Sequence, residues 1–163
     1  MKRNSFLIIH LFALLILTGS SNIYAQNMMV DGKFGISIFS SSGSSTGILL
    51  GGAIDIPSSN NLYIRPELNI TSHGGTPIEM AGLVKYNIPT TGSNMQFYVD
   101  GGLGIWFFTG GPYLSIDFGG GAIFPLKGSK LSIPLDIRLG PFFSSGSSTF
   151  QIAITSGVRF SLN

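Results

Sequence analysis

Apolar and polar residues alternate with a period of two in eight successive stretches of the chain, starting at Lys33. In Leu62–Thr71, Ile64, Pro66, Leu68 and Ile70 form an apolar row, and Tyr63, Arg65, Glu67, Asn69 and Thr71 form a polar one. Successive side chains of a strand point to opposite faces, so this stretch predicts a strand with one apolar face and one face carrying an arginine and a carboxylate. The same pattern predicts strands at 33–39, 47–56, 78–87, 95–107, 113–126, 130–142 and 149–160. In 130–142, for example, Leu131, Ile133, Leu135, Ile137 and Leu139 oppose Ser132, Asp136 and Arg138. No stretch after residue 25 has a helical period.

The intervening segments are short and rich in Gly, Ser, Asn or Pro, as turns between antiparallel strands are. Segments 40–46, 72–76, 109–112 and 144–148 fall at one end of the strands, and 57–61, 89–94 and 127–129 at the other. Eight strands joined this way form a meander with both ends on the same side.

Residues 1–25 predict a cleaved secretory signal peptide. Lys2 and Arg3 are followed by a core at 6–17, apolar except for His10, and by a small polar exit ending in Ala25. Twelve residues fall short of the roughly 20 that a membrane-spanning helix needs. The remainder, 26–163, reads as one domain.

Composition decides which face points outward. Charged residues make up 10% of the chain, against roughly 25% in an average soluble domain, although hydrophobic content is 44%. A soluble barrel with its apolar face inside would need a charged exterior, and the turns carry almost none. Setting Lys2 and Arg3 aside leaves seven basic residues against seven acidic ones, of which eleven fall on the polar parity of the strands: Lys33, Asp55, Arg65, Glu67, Glu79, Lys85, Asp100, Asp117, Asp136, Arg138 and Arg159. Six acids and five bases can neutralise one another in a confined interior, where an unpaired charge costs several kcal/mol.

Aromatic residues of the apolar face also gather toward the segment ends. Phe34, Tyr86, Phe97, Phe124 and Phe160 lie toward the end shared by the termini, with Phe107 and Phe150 toward the other. Aromatic girdles of this kind border the lipid-facing band of membrane barrels. The expected fold is therefore all-β, an eight-stranded antiparallel up-and-down transmembrane β-barrel with both termini periplasmic. The eleven charged residues are expected to form a structural network in a lumen that side chains fill.

The candidate chemistry is sparse. There is no cysteine, so thiolate nucleophiles, disulfides and thiolate metal sites are excluded. His73 is the one histidine outside the leader and is expected to be an exposed turn residue; no nucleophile motif surrounds it. One histidine and scattered carboxylates lack metal-ligand spacing, and no cluster of Lys and Arg suggests nucleic acid. No catalytic, cofactor or metal residues are assigned. Two prolines, Pro66 and Pro134, fall inside predicted strands, where a missing N–H predicts a bulge or twist.

Four segments carry a family likeness: Ile64-Arg65-Pro66-Glu67-Leu68, Leu83-Val84-Lys85-Tyr86, Tyr98-Val99-Asp100-Gly101-Gly102-Leu103-Gly104 and Gly157-Val158-Arg159-Phe160. With them the chain resembles the small outer-membrane β-barrel proteins of Bacteroidetes type, related in architecture to the eight-stranded barrels of other Gram-negative bacteria. The resemblance implies residence in the outer membrane, contact with its lipid and with the barrel-assembly machinery, and a monomer. Members usually end on an aromatic residue, whereas this chain continues past Phe160 as Ser161-Leu162-Asn163. A structural or interaction role is expected. The alternatives are a narrow channel or binding barrel for small or apolar ligands, and a secreted soluble barrel.

Overall fold

The computed structural model describes residues 28–40, 43–92, 94–144 and 147–162; the expected leader lies outside the described residues. Every element among them is a strand: β1 (Met29–Ser40), β2 (Ser44–Ser59), β3 (Leu62–Thr71), β4 (Ile78–Ile88), β5 (Gln96–Phe108), β6 (Gly111–Pro125), β7 (Leu131–Ser144) and β8 (Ser147–Ser161). Each pairs antiparallel with the next, and β1 closes on β8 from Met29↔Ser161 to Ser40↔Phe150. Closure leaves no sheet edge with unpaired backbone groups.

The register fixes the shape. Stepping across cross-strand partners from Phe97 through Ala122, Leu135, Ser156, Phe34, Leu50, Ile70 and Ile78 returns to β5 at Phe107, ten residues further on. A stagger of that size over eight strands goes with a strand tilt of roughly 35–45° and a bore that side chains just fill.

All eight expected strands form, with ends that shift by a few residues. The largest shift is at β1, which begins four residues before Lys33 and so carries Asp31 into the barrel. The β2–β3 turn is tight: Asn60 and Asn61 alone join the two strands, with Asn61 at φ 66°, a left-handed conformation that asparagine tolerates better than most residues.

At the two prolines, where a bulge or twist is expected, the ladder shows a gap on one side. Pro66 faces Gly82 in an unbroken β3–β4 register, while the β2–β3 ladder lapses between Ala53↔Glu67 and Ile56↔Ile64 and resumes unshifted. Pro134 pairs with Ile123 on β6, and the β7–β8 ladder lapses between Ser132↔Arg159 and Leu135↔Ser156. In an antiparallel ladder each residue sends both its N–H and its C=O to one neighbour only. A proline therefore breaks pairing on one side and leaves the other intact, with no change of register. The Ser156 hydroxyl caps the freed Pro134 carbonyl at 3.0 Å.

The two faces are sorted as the alternation requires. Ile137 is 52% exposed on the outer wall, between Asp136 at 5% and Arg138 at 6%, both turned inward. Phe34, Leu50, Ile64, Leu68, Val84, Val99, Leu103 and Val158 share the outer wall, each half-exposed or more. Of the expected end-of-strand aromatics, Phe34, Tyr86, Phe97, Phe107 and Phe160 are exposed on that wall, and Phe124 and Phe150 are partly covered.

Candidate functional site: the barrel interior

The interior is built in layers. Nearest the termini, Arg65 projects from β3 toward the axis and donates from Nη1 to Asp55 at 3.1 Å and from Nε to Glu67 at 3.3 Å. Its Nη2 stands 3.0 Å from Asp31 and 4.0 Å from Asp136. Arg159, directly across the β1–β8 ladder from Asp31, grips that carboxylate with two bonds of 2.7 Å and also reaches Asp55 at 2.8 Å. Lys85 donates to Asp55 at 2.5 Å and lies 4.1 Å from the centre of the Tyr98 ring, a cation–π distance.

The next layer turns on Glu67. Arg138 binds it through both terminal nitrogens, one of them at 3.0 Å to Oε2, and Lys33 and Arg65 pair with it as well. Arg138 also stands 3.7 Å from Asp100, and Thr155 donates to Asp136 at 3.3 Å. The Asn69 amide bridges Glu67 at 2.8 Å and Glu79 at 2.5 Å. Beyond it, Glu79 and Asp117 stand outside the ion pairs and have neutral partners, Asn69 and the Ser115 hydroxyl, the latter at 3.0 Å from Asp117.

Small residues make the room. The inward face sets Gly119 opposite Arg138, Gly121 opposite Asp136 and Gly51 opposite both Lys33 and Asn69. A methyl group on Gly140 would meet the Asp117 carboxylate at 2.5 Å, and one on Gly121 would meet the Tyr98 hydroxyl at 2.7 Å. Alternation of small and large inward residues is how a narrow barrel fills without voids. The space left among Lys33, Glu67, Glu79, Asp136 and Arg138 is about 10 Å³, room for one water at most.

At the end away from the termini an aromatic plug covers these layers. Phe39, Trp106 and Phe142 are buried against one another, with Phe39 stacked on Phe142 at 5.2 Å and Trp106 edge-on to both at 5.4 and 5.3 Å. Phe108 and Tyr113 pack above, at 5.1 Å from each other. His73 is drawn into this plug and is not the exposed turn residue expected. Its ring meets Phe39 edge-on at 4.2 Å, Nε2 lies 2.9 Å from the Ser37 carbonyl and Nδ1 lies 3.2 Å from the Ser45 hydroxyl. Neither nitrogen is bonded to a carboxylate.

The eleven charged residues named from the sequence all point inward. Nine meet in one network: Lys33, Asp55, Arg65, Glu67, Lys85, Asp100, Asp136, Arg138 and Arg159. Glu79 joins through Asn69, and Asp117 stands apart. Sequence reasoning missed Asp31, whose parity matches Lys33 two positions on and would have revealed it had β1 been extended by one step. With Asp31 the interior holds seven carboxylates against five cations, so the near balance read from the sequence becomes an acidic excess, located at Glu79 and Asp117. The plug was missed because Phe39, Phe108 and Phe142 lie on separate strands, and only the register brings them together. Among the described residues no group of three or more His, Asp or Glu side chains could hold a metal ion.

No protein-family model and no curated protein matches the chain in sequence. Its fold is similar to solved structures of small outer-membrane barrels. Neisserial surface protein A superposes with a TM-score of 0.69 at 13% identity, covering 83% of this chain and 97% of that one. The N-terminal β-barrel domain of Pseudomonas aeruginosa OprF gives 0.55 at 14% identity, covering 83% and 98%. The outer-membrane enzyme PagL gives 0.55 at 13% identity, covering 78% and 98%. At such identities the likeness is one of fold.

Proposed function

We propose that this chain is a monomeric integral barrel of the bacterial outer membrane, exported by a leader at 1–25 and seated with both termini in the periplasm. Its polar lumen serves as a sealed structural core, and it has a structural or interaction role in the envelope. The carrying observation is the inversion of polarity: an outer wall of exposed apolar side chains around an interior that holds, among the described residues, twelve ionisable side chains. Apolar wall in water would be unfavourable over the whole circumference, whereas in hydrocarbon it is the required exterior, and a closed ladder presents no open sheet edge there. The aromatics at both rims fit the same placement, the short family motifs favour the Bacteroidetes type, and the assembly machinery and outer-membrane lipid are the implied partners. Catalysis is not part of the reading, since His73 is tied to a backbone carbonyl and a serine, with no carboxylate behind it.

The lumen supports no channel. The space among its central charges is about 10 Å³, and plug and ion pairs lie in series along the axis. Expressed with its leader in a Gram-negative host, the protein should stay in the outer-membrane fraction after alkaline carbonate washing and need detergent for release. Reconstituted in planar bilayers it should show no steady conductance steps. Recovery of the mature chain as a detergent-free soluble monomer would overturn the membrane reading, and reproducible single-channel steps would overturn the sealed lumen.

A further inference from the structure

The plug does not end flush with the rim. Above it lies a cup of about 270 Å³, lined among the described residues by Phe39, Phe108, Tyr113 and Phe142, with Ser45, His73 and Thr149 completing the wall. These residues come from strands β1, β2, β5, β6, β7 and β8 and from the β3–β4 turn, so the cup is centred in the mouth of the barrel. Phe108 and Tyr113 are only partly buried, although they face an aqueous opening. Concave, partly exposed aromatic surface beside a few polar groups is the usual make-up of a small-molecule site.

We infer that this cup binds a small uncharged aromatic compound carrying a hydroxyl group. Three observations set the ligand class. The volume falls just under the roughly 300–1,000 Å³ of drug-sized sites, which suits one ring. Among the described residues the lining contains no Lys, Arg, Asp or Glu, so nothing there compensates a charged ligand for its lost hydration. The rings already meet edge to face, Phe108 on Tyr113 at 84° and Phe108 on Phe142 at 82°, and such a lattice accepts a further ring in the same geometry.

The rim supplies the polar anchor. A carbonyl oxygen only accepts, so His73 Nε2 carries the hydrogen directed at Ser37, and in that neutral tautomer Nδ1 accepts from the Ser45 hydroxyl. That leaves the Ser45 oxygen as a fixed acceptor for a ligand hydroxyl. The sealed layers beneath make the cup a dead end, so it retains a ligand and does not pass one through. The cup depends on the register and the rings, and stands whether or not the outer wall meets lipid.

Trp106 is the single tryptophan of the chain and packs on Phe39 and Phe142 at the base of the cup, which provides a reporter. The test is a fluorescence titration of the full mature barrel in lipid nanodiscs with 4-nitrobenzyl alcohol, a neutral quencher. 4-Nitrobenzoate serves as the charged comparator and acrylamide as the collisional one. Saturable quenching by the alcohol is expected, at least tenfold weaker with the benzoate and linear with acrylamide. Filling the cup by Ser45→Phe, or by Thr149→Phe should the first variant lose its folded migration on an unheated gel, should abolish saturation. Linear quenching by the alcohol, or saturation that survives in a folded cup-filling variant, would overturn the site. Equal saturation by the benzoate would overturn the choice of an uncharged ligand.

Discussion

Arg65 shows what an interior charge has to satisfy. It is fully buried and faces Asp31, Asp55, Glu67 and Asp136, which lie on β1, β2, β3 and β7. A planar fork of donors can serve several carboxylates at once, which an ammonium cannot. Removing it leaves those carboxylates facing one another without their common cation. Arg65→Leu should therefore cost about 3–5 kcal/mol, read as a shift in the urea unfolding midpoint of the barrel in lipid vesicles. Arg65→Lys should recover only part of that loss. A leucine variant as stable as the parent would show that Arg159, Arg138 and Lys85 neutralise the site without Arg65. The parity of residue 65 placed this side chain inside from sequence alone. Its partners were not legible, because Asp31 and Asp136 lie far along the chain, and ion pairing across a lumen depends on which strands face one another.

At the scale of a strand, β7 and β5 illustrate two separate demands. On β7, Ile137 points outward between two inward charges, and the proposed lipid contact makes that position intolerant of charge. Ile137→Arg should destabilise the membrane-embedded fold by about 2–4 kcal/mol if it lies near the bilayer midplane; an unchanged unfolding midpoint would mean that the outer wall does not meet hydrocarbon. On β5, Gly102 faces inward where β4 comes close. A methyl group there would run into the Gly82 carbonyl and lie 2.8 Å from the Leu83 Cα. Backbone cannot swing aside as a side-chain tip can, so Gly102→Ala should cost about 1–3 kcal/mol in the same measurement, whereas an alanine accepted without loss would mean the strands can part locally. The glycines of β5 and β6 are plain in the sequence, but which of them touches which strand is decided by the register. Pro66 and Pro134 taught a related lesson: the expected irregularity is present, yet one-sided bonding in an antiparallel ladder confines it to a gap without a slip.

For the whole molecule, the seal is double. The aromatic plug and the salt-bridged layers are separate barriers in series, so opening one should not open the path. The double variant Trp106→Ala with Phe142→Ala should still show no steady conductance in planar bilayers, because Arg65, Glu67 and Arg138 continue to fill the bore; steps in that variant would show the plug to be the sole barrier. The sequence by itself determined the eight strands, the meander, the inward and outward parity of nearly every residue and the confinement of charge to one face. Period-2 alternation and turn chemistry are local, and a strand has only two faces to choose between. Tertiary structure alone decided the ten-residue stagger, the ion-pair partners, the acidic excess at Glu79 and Asp117, the capture of His73 by Ser37 and Ser45, and the aromatic cup. Each of these depends on register, the relative sliding of strands around a closed ring, which sums small offsets over all eight ladders and is written in no single stretch of the chain.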